Sequence, residues 1–192
     1  MFIGRSGCGK GTQAGLLMEY LKEKDPHADV FHLETGARFR EFIKDGEKNY
    51  SSKLSSDIYV AGGLQPEFLT IWMWGSGFIE KLKEGDHIII DGTPRKLNEA
   101  KVLDSALKFY SREKPCLVFI NVSKEWAVER LKSRHRVDDN SRDITRRLEW
   151  FETDVVKAID FYRNNPDYLF LDINGEQTIE NVHKEILEKI SL

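Results

Sequence analysis

Residues 4–13 read GRSGCGKGTQ, a glycine-rich stretch that decides the fold of this chain. The apolar residues 1–3 before it are typical of the end of a β-strand, and residues 15–21 after it are typical of a helix. A glycine-rich turn between a strand and a helix directs several backbone N–H groups into one small concavity, where the helix N-terminus adds partial positive charge. We interpret the stretch as a nucleotide-phosphate loop. A turn with a purely structural role is the alternative.

Two side chains of this loop can take part in phosphate chemistry. Lys10 can reach the β- and γ-phosphates as a point charge, and a hydroxyl can join the ligand shell of Mg²⁺. In the strict P-loop pattern Ser or Thr follows the lysine directly, whereas here Gly11 intervenes and the hydroxyl belongs to Thr12. The generic pattern is therefore met only in part.

The composition limits the classes of function. With 192 residues, 40% of them hydrophobic and 32% charged, the chain suits one globular domain with a sizeable core. The net charge of −3 gives no electrostatic case for nucleic acid or an anionic membrane as partner. Cys8 and Cys116 are far apart in the sequence, no apolar run approaches the length of a membrane span, and the N-terminus does not resemble a signal peptide. We therefore expect a cytoplasmic protein, and we expect a monomer.

Short apolar runs rich in β-branched residues alternate with helical stretches along the chain. Near-continuous runs of this kind are typical of buried parallel strands that helices cover on both faces. We predict an α/β fold with a five-stranded parallel sheet and right-handed crossovers. The predicted strands are residues 1–3, 30–33, 87–90, 116–122 and 168–173. The predicted helices are residues 9–24, 52–59, 66–83, 97–110, 124–134, 140–163 and 176–190.

Two of the predicted segments are unusually long. Residues 34–65 exceed a single crossover, and we predict that they form a small helical subdomain. Residues 140–163 carry apolar side chains at a spacing of three or four, which predicts one continuous helix with a single buried face.

Asp91 follows the apolar run 87–90 and is predicted to end a buried strand. Ligands bind at this edge of an open α/β sheet, and a carboxylate beside a phosphate loop holds Mg²⁺, usually through water. A helix-capping or turn aspartate is the alternative. Pro94 is predicted to make a rigid turn that aims Arg95 back over the strand edge.

Arginines cluster around the break between the two helices 124–134 and 140–163. Guanidinium groups are planar, permanently charged and suited to phosphate oxygens, so arginines from this region can converge on one centre. Charge runs are more often solvated faces, which is our interpretation of Lys132 and Arg142, and His135 is predicted to be an exposed loop tip.

We interpret the four tryptophans as packing residues rather than base-stacking platforms. A helix N-terminus could lower the pKa of Cys8, although packing beneath the loop explains a small residue equally well.

Five motifs carry a resemblance that covers essentially the whole chain in the right order. They are GRSGCGKGTQ at residues 4–13, LETG at 33–36 followed by Arg40, AGGLQP at 61–66, DGTPR at 91–95, and RVDD at 136–139 followed by Arg147. On these motifs the chain resembles the nucleoside monophosphate kinases, and specifically the adenylate kinases. The resemblance implies a three-layer P-loop kinase fold in a single domain over residues 1–192. It also implies a helical monophosphate-binding insertion at 34–66 and a lid loop at 134–139.

The resemblance also implies roles for individual residues, with ATP, AMP and Mg²⁺ as ligands. The ATP phosphates and Mg²⁺ would contact Gly7, Cys8, Gly9, Lys10, Gly11 and Thr12, with Asp91 holding the metal through water. The ATP base would lie against Arg130 and Gly175. The acceptor AMP would contact Thr35, Gly36, Arg40, Gly63, Leu64, Gln65, Gly92, Arg95 and Glu99. The catalytic residues would be Lys10, Arg95, Arg134, Arg136 and Arg147.

The chain departs from the family pattern in three places. Only His135 separates Arg134 from Arg136, so the lid is minimal, and we expect weaker exclusion of water with a lower rate or some ATP hydrolysis. Glu99 replaces the glutamine that reads adenine, and an ionised carboxylate would suit guanine better, whereas Thr35 favours AMP. Ala37 replaces the usual aspartate after Thr-Gly.

The reaction we predict is Mg·ATP + AMP ⇌ 2 ADP by in-line transfer. The attacking phosphate oxygen already bears charge, so positioning and charge neutralisation suffice and no general base is required. One alternative is a kinase for another nucleoside monophosphate such as GMP. A second is a P-loop GTPase or ATPase switch, although no Asn-Lys-x-Asp base-reading motif is present. A third is a nucleotide-binding module that has lost catalysis.

Overall fold

A computed structural model describes residues 1–44, 49–133 and 141–190 of the chain. Its centre is a parallel sheet of five strands in the order β2-β3-β1-β4-β5. The strands are β1 (Phe2–Gly4), β2 (Val30–Glu34), β3 (His87–Asp91), β4 (Cys116–Asn121) and β5 (Leu169–Asn174). The predicted fold class is confirmed, and no strand boundary differs from its predicted position by more than one residue.

The register of the sheet sets the position of the site. Asp91 at the end of β3 pairs with Phe2 of β1 on one side and with Glu34 of β2 on the other. Gly4, the last residue of β1, pairs with Ile120 of β4. The carboxyl ends of these strands therefore lie side by side, and the loops that follow them share one edge of the sheet, where ligands bind in open α/β folds.

Helices cover both faces of the sheet, as predicted. They are α1 (Lys10–Lys24), α2 (Thr35–Lys44), α3 (Tyr50–Val60), α4 (Glu67–Lys81), α5 (Leu97–Phe109), α6 (Lys124–Ser133), α7 (Ser141–Trp150), α8 (Val156–Arg163) and α9 (Ile179–Ile190). Side chains of α1, α6, α7 and α9 pack in one buried cluster, and those of α4, α5 and α8 pack in a second cluster. Two helices, α2 and α3, occupy most of the region 34–65, for which a helical subdomain was predicted.

The prediction of one continuous, regular helix over residues 140–163 is wrong in one respect. Residues Phe151–Val155 form a π-helical turn between α7 and α8, in which the N–H of Val156 bonds to the carbonyl of Phe151. We call this segment the π turn. Ile144 and Leu148, which precede the π turn, belong to the first buried cluster. The buried side chains from Phe151 to Tyr162 belong to the second. The π turn thus lies where the helix passes from one face of the sheet to the other, and the regular apolar spacing carries no sign of this change.

The C-terminal helix begins three residues later than predicted, at Ile179 rather than Glu176. The side chain of Asn174 accepts a hydrogen bond from the backbone N–H of Glu176 at 3.0 Å, and Gln177 donates to the Asn174 carbonyl at 2.9 Å. Thr178 Oγ1 then accepts from the N–H of Asn181 at 3.3 Å, as a helix cap does. These local bonds hold residues 174–178 in a turn. Among the described residues, no helix has the combination of length and apolar character needed to cross a bilayer.

Candidate nucleotide site

A cleft of about 700 Å³ opens at the carboxyl edge of the sheet. Its walls come from the loop after β1, the start of α2, the α3–α4 connection, the end of β3, and helices α5, α6 and α7. Every predicted site residue that lies in the described part of the chain lines this cleft. These are Gly7, Cys8, Gly9, Lys10, Gly11, Thr12, Thr35, Gly36, Arg40, Gly63, Leu64, Gln65, Asp91, Gly92, Arg95, Glu99, Arg130, Arg147 and Gly175.

Two predicted catalytic residues, Arg134 and Arg136, lie outside the described residues, together with His135 and the predicted lid at 134–139. These residues are therefore not included in the site described below.

The phosphate loop is held tightly against the rest of the fold. Gly7 has a φ of +88°, and a Cβ there would lie 2.9 Å from the carbonyl oxygen of Ala127 and 2.9 Å from a side-chain carbon of Leu131. Only glycine combines this left-handed backbone with such a close approach to α6. Lys10 Nζ donates to the carbonyls of Arg5 at 3.2 Å and Gly4 at 3.5 Å, so the ammonium group lies across the mouth of the loop.

Cys8 is buried beneath the loop, and the interpretation that its pKa could be lowered is wrong. Burial raises the pKa of the Cys8 thiol, because the thiolate loses its hydration, and the opposing effect of the Lys10 charge is smaller. The structure therefore favours the alternative given for this residue, packing beneath the loop.

Asp91 has the surroundings expected of a residue that faces a cation. The side chain is 7% exposed, and its Oδ1 is buried without a hydrogen-bond partner. Its Oδ2 would lie 3.2 Å from a Cβ added at Gly11, so the carboxylate touches the start of α1. A buried carboxylate oxygen is costly unless something satisfies it, and a hydrated Mg²⁺ beside Thr12 would do so. The residues present therefore fit the metal that the resemblance implies.

Arginines converge on the side of the cleft where the predicted AMP-binding residues lie, which we call the acceptor side. Arg95 Nε donates to the carbonyl of Gly92 at 3.0 Å. Burial lowers the pKa of the Arg95 guanidinium, the charge of Glu99 opposes this, and the positive charges of Arg147 and Arg40 add to the lowering. Since arginine stays protonated in proteins, these mutual repulsions indicate a concentrated positive field that a phosphate would relieve.

Several polar side chains of the acceptor side are already paired with other protein groups. Arg40 Nη2 forms an ion pair with Glu34 Oε1 at 2.8 Å. Gln65 accepts from the hydroxyl of Ser55 at 2.9 Å and donates to the Ser55 carbonyl at 2.9 Å. Glu34 was missed by the sequence reasoning, although the rule that identified Asp91, a carboxylate at the end of a strand, applies to it equally.

Glu99 is 2% exposed, and its Oε2 accepts from the backbone N–H of Arg95 at 2.8 Å. Burial raises the pKa of this carboxyl above its ordinary value, and the Arg95 hydrogen bond acts in the opposite direction. Thr35 is also buried, and its Oγ1 has no hydrogen-bond partner. The wall of the cleft therefore contains a carboxyl and a hydroxyl that can recognise a polar group.

The ATP-base side was predicted to include Arg130, and the structure adds Trp126. The guanidinium of Arg130 lies 4.6 Å from the centroid of the Trp126 ring. The packing role predicted for the tryptophans describes buried Trp74, but it is incomplete for Trp126, which lines the cleft. The spacing of four residues along a helix could have indicated this pair.

Comparison with known proteins agrees with this geometry. The family model described as adenylate kinase matches residues 2–166. An adenylate kinase of Flavobacterium psychrophilum is 32% identical over 196 residues, covering 100% of this chain and 97% of the relative. An adenylate kinase of Leptospira biflexa is 33% identical over 199 residues, with 99% and 98% covered. One of Corynebacterium urealyticum is 30% identical over 187 residues, with 97% and 96% covered. The chain therefore belongs to the adenylate kinase family.

Proposed function

We propose that this protein catalyses reversible transfer of the γ-phosphoryl group of Mg·ATP to AMP, giving two molecules of ADP. The observation that carries the proposal is one cleft with a glycine-rich phosphate loop on one side and convergent arginines on the other. Membership of the adenylate kinase family favours this reaction over transfer to GMP and over simple nucleotide hydrolysis or binding.

The chemistry requires positioning and charge neutralisation. Lys10 would bind the phosphates of ATP from the loop, while Arg40 and Arg95 would hold the phosphate of AMP. Arg147 would neutralise charge on the transferred group, since its charge already acts on Arg95. The nucleophile is a phosphate oxygen, which is charged at neutral pH, so no side chain needs to remove a proton.

Asp91 and Thr12 are the residues that would hold Mg²⁺ with the ATP phosphates. When bound, the ion neutralises the charge that develops on the β- and γ-phosphate oxygens. The support for this assignment is the buried, unpartnered Oδ1 of Asp91 beside the phosphate loop.

The acceptor base would lie against Glu99 and Thr35. A protonated carboxyl offers one donor and one acceptor, as the amide of glutamine does, and can serve adenine; an ionised carboxylate only accepts and would serve guanine. Because burial raises the pKa of Glu99, its protonated form persists to higher pH than in an exposed glutamate, which supports AMP as first acceptor and GMP as second.

The remaining site roles and the domain organisation also stay proposals. Arg130, whose guanidinium lies against the ring of Trp126, would stack on the ATP base near Gly175. Residues 34–66 would bind the monophosphate as an insertion within one domain, and residues 134–139 would form a lid too short to exclude water fully. A cytoplasmic monomer without nucleic-acid or membrane partners remains the expectation from the sequence.

An acceptor panel tests the proposed function. Mg·ATP is supplied with AMP, GMP, CMP, UMP or dAMP, and diphosphate formation is followed alongside release of inorganic phosphate. We expect the fastest diphosphate formation with AMP and a slow release of phosphate without an acceptor. Phosphate release that is equally fast without any acceptor would identify a hydrolase, and no turnover with any acceptor would identify a binding module.

A further inference from the structure

Arg5, the second residue of the phosphate loop, directs its side chain toward the π turn. Its guanidinium lies 4.0 Å from the ring centroid of Phe151, and its Nη2 forms an ion pair with Glu152 Oε1 at 2.5 Å. The Arg5 side chain is 17% exposed, whereas that of Glu152 is 57% exposed. Phe151 is itself fixed, because its ring is buried and stacks on Phe119 with an interplanar angle of 14°. Arg5 therefore connects the loop to a rigid part of the second buried cluster.

The backbone of the same residue holds the lysine of the loop. The carbonyl of Arg5 accepts the hydrogen bond from Lys10 Nζ at 3.2 Å. A shift of Arg5 would consequently move the acceptor that keeps the Lys10 ammonium in place.

On the other side of the contact, the π turn follows directly after the helix that bears Arg147. Phe151 lies four residues after Arg147, which is about one helical turn. A cavity of about 30 Å³ beside the main cleft lies between the phosphate loop and the segment that ends α7 and begins the π turn. Gly4 and Lys10 line it on the loop side, and Arg147, Trp150 and Phe151 line it on the other. The loop and the end of α7 are thus direct neighbours around this cavity.

We propose that Arg5 is a positioning residue that fixes the separation of Lys10 and Arg147 by joining the phosphate loop to the π turn. The inference rests on the proposed phosphoryl transfer, in which these two cations act on the same transferred group. Like charges brought together at Lys10, Arg95 and Arg147 repel one another, so the elements that bear them need a link that does not use the site itself. The Arg5 contact with Phe151 and Glu152 provides this link from outside the cleft.

The matched control is Arg163, which makes the same kind of contact away from the cleft. Its guanidinium lies 5.0 Å from the ring centroid of Phe170 and pairs with Asp160 at 2.8 Å. Arg163→Met therefore removes an arginine, an aromatic contact and an ion pair just as Arg5→Met does, without touching the loop. We expect Arg5→Met to lower kcat by about tenfold to a hundredfold, since small misplacements of catalytic groups carry losses of this size. We expect Arg163→Met to leave kcat near the wild-type value.

A double-mutant cycle separates positioning from a general structural effect. If Arg5 acts through Arg147, the Arg5→Met change will lower kcat much less in an Arg147→Met background than in the wild type. Arg5→Lys, which retains the charge, should restore part of kcat, and the KM for ATP should change less than kcat. Urea unfolding of each variant reports stability independently.

Two results would overturn the proposal: equal kcat values for Arg5→Met and Arg163→Met, or losses that multiply fully in the double variant. Should Arg5→Met fail to fold, Glu152→Gln removes only the charge of an exposed partner, and an unchanged kcat in that variant together with Phe151→Leu would overturn it as well. A wild-type protein that makes no diphosphate from any acceptor would instead contradict the proposed function.

Discussion

The two sides of the cleft are built in different ways. The phosphate-binding part of the proposed ATP side is a short glycine-rich loop whose backbone N–H groups and single lysine follow one another in sequence. The proposed acceptor side consists of side chains from separate helices and connections, and several of these are paired within the protein, as in Arg40 with Glu34 and Gln65 with Ser55. A backbone cradle keeps its shape whatever binds, whereas paired side chains must exchange a protein partner for a ligand. The acceptor side should therefore respond to changes in residues that never touch the substrate.

The largest effect is expected from Arg95→Ala, which removes a half-buried positive charge from the proposed acceptor side. One well-placed arginine in a phosphoryl-transfer site contributes about 10³–10⁵ in rate, and Arg95 would both bind the attacking phosphate and add to the positive field around it, so kcat/KM for AMP should fall by about that factor. Steady-state ADP formation at saturating Mg·ATP measures it.

Arg163→Ala provides the control, because that arginine pairs with Asp160 on α8 away from the cleft. Equally small losses in both variants would contradict the arginine assignment, and chemical denaturation would show whether Arg95→Ala is folded.

A smaller effect is expected from pH, acting through Glu99. Because burial raises the pKa of this carboxyl, its protonated form persists to higher pH than in an exposed glutamate and is lost as pH rises through the folded value. The preference for AMP over GMP should therefore decrease with rising pH, by about tenfold for one exchanged hydrogen bond. The ratio of kcat/KM values across a pH series measures it.

Glu99→Gln is the matched variant, since an amide offers a donor and an acceptor at every pH. Its preference for AMP should not change with pH through this position. A wild-type preference that is flat with pH would show that Glu99 does not read the acceptor base.

The smallest effect is expected from Glu34→Gln. The Arg40–Glu34 pair is more than one-third exposed on both sides, and such pairs contribute about 0–1 kcal/mol. In the proposed site the carboxylate of Glu34 competes with the phosphate of AMP for Arg40. Removing that carboxylate should therefore lower the KM for AMP by about twofold to fivefold and leave kcat unchanged. Asp160→Asn breaks a comparable arginine pair outside the site and should leave the KM unchanged. An increased KM in Glu34→Gln would mean that the pair orients Arg40 instead of competing for it.

The sequence predicted the fold well and placed the glycine-rich loop between β1 and α1, because both depend on local order. The strands are continuous apolar runs, and the loop residues between Gly4 and Thr12 adjoin one another in the chain. What escaped prediction depends on contacts between distant residues. The π turn lies where one helix passes between two buried clusters, and the hydrogen bonds between Gln65 and Ser55 depend on the return of the chain after α3. Neither leaves a periodic signal in the sequence.

The contact between Gly11 and Asp91 has a consequence for how this loop could evolve. A side chain at position 11 would bring its first carbon to 3.2 Å from a carboxylate oxygen of Asp91, tighter than nine in ten such contacts. Ser or Thr at position 11, directly after Lys10, would therefore require the Asp91 side chain to shift by a few tenths of an ångström. With glycine at position 11 and the hydroxyl one residue later, at Thr12, the carboxylate keeps the position it has in this structure.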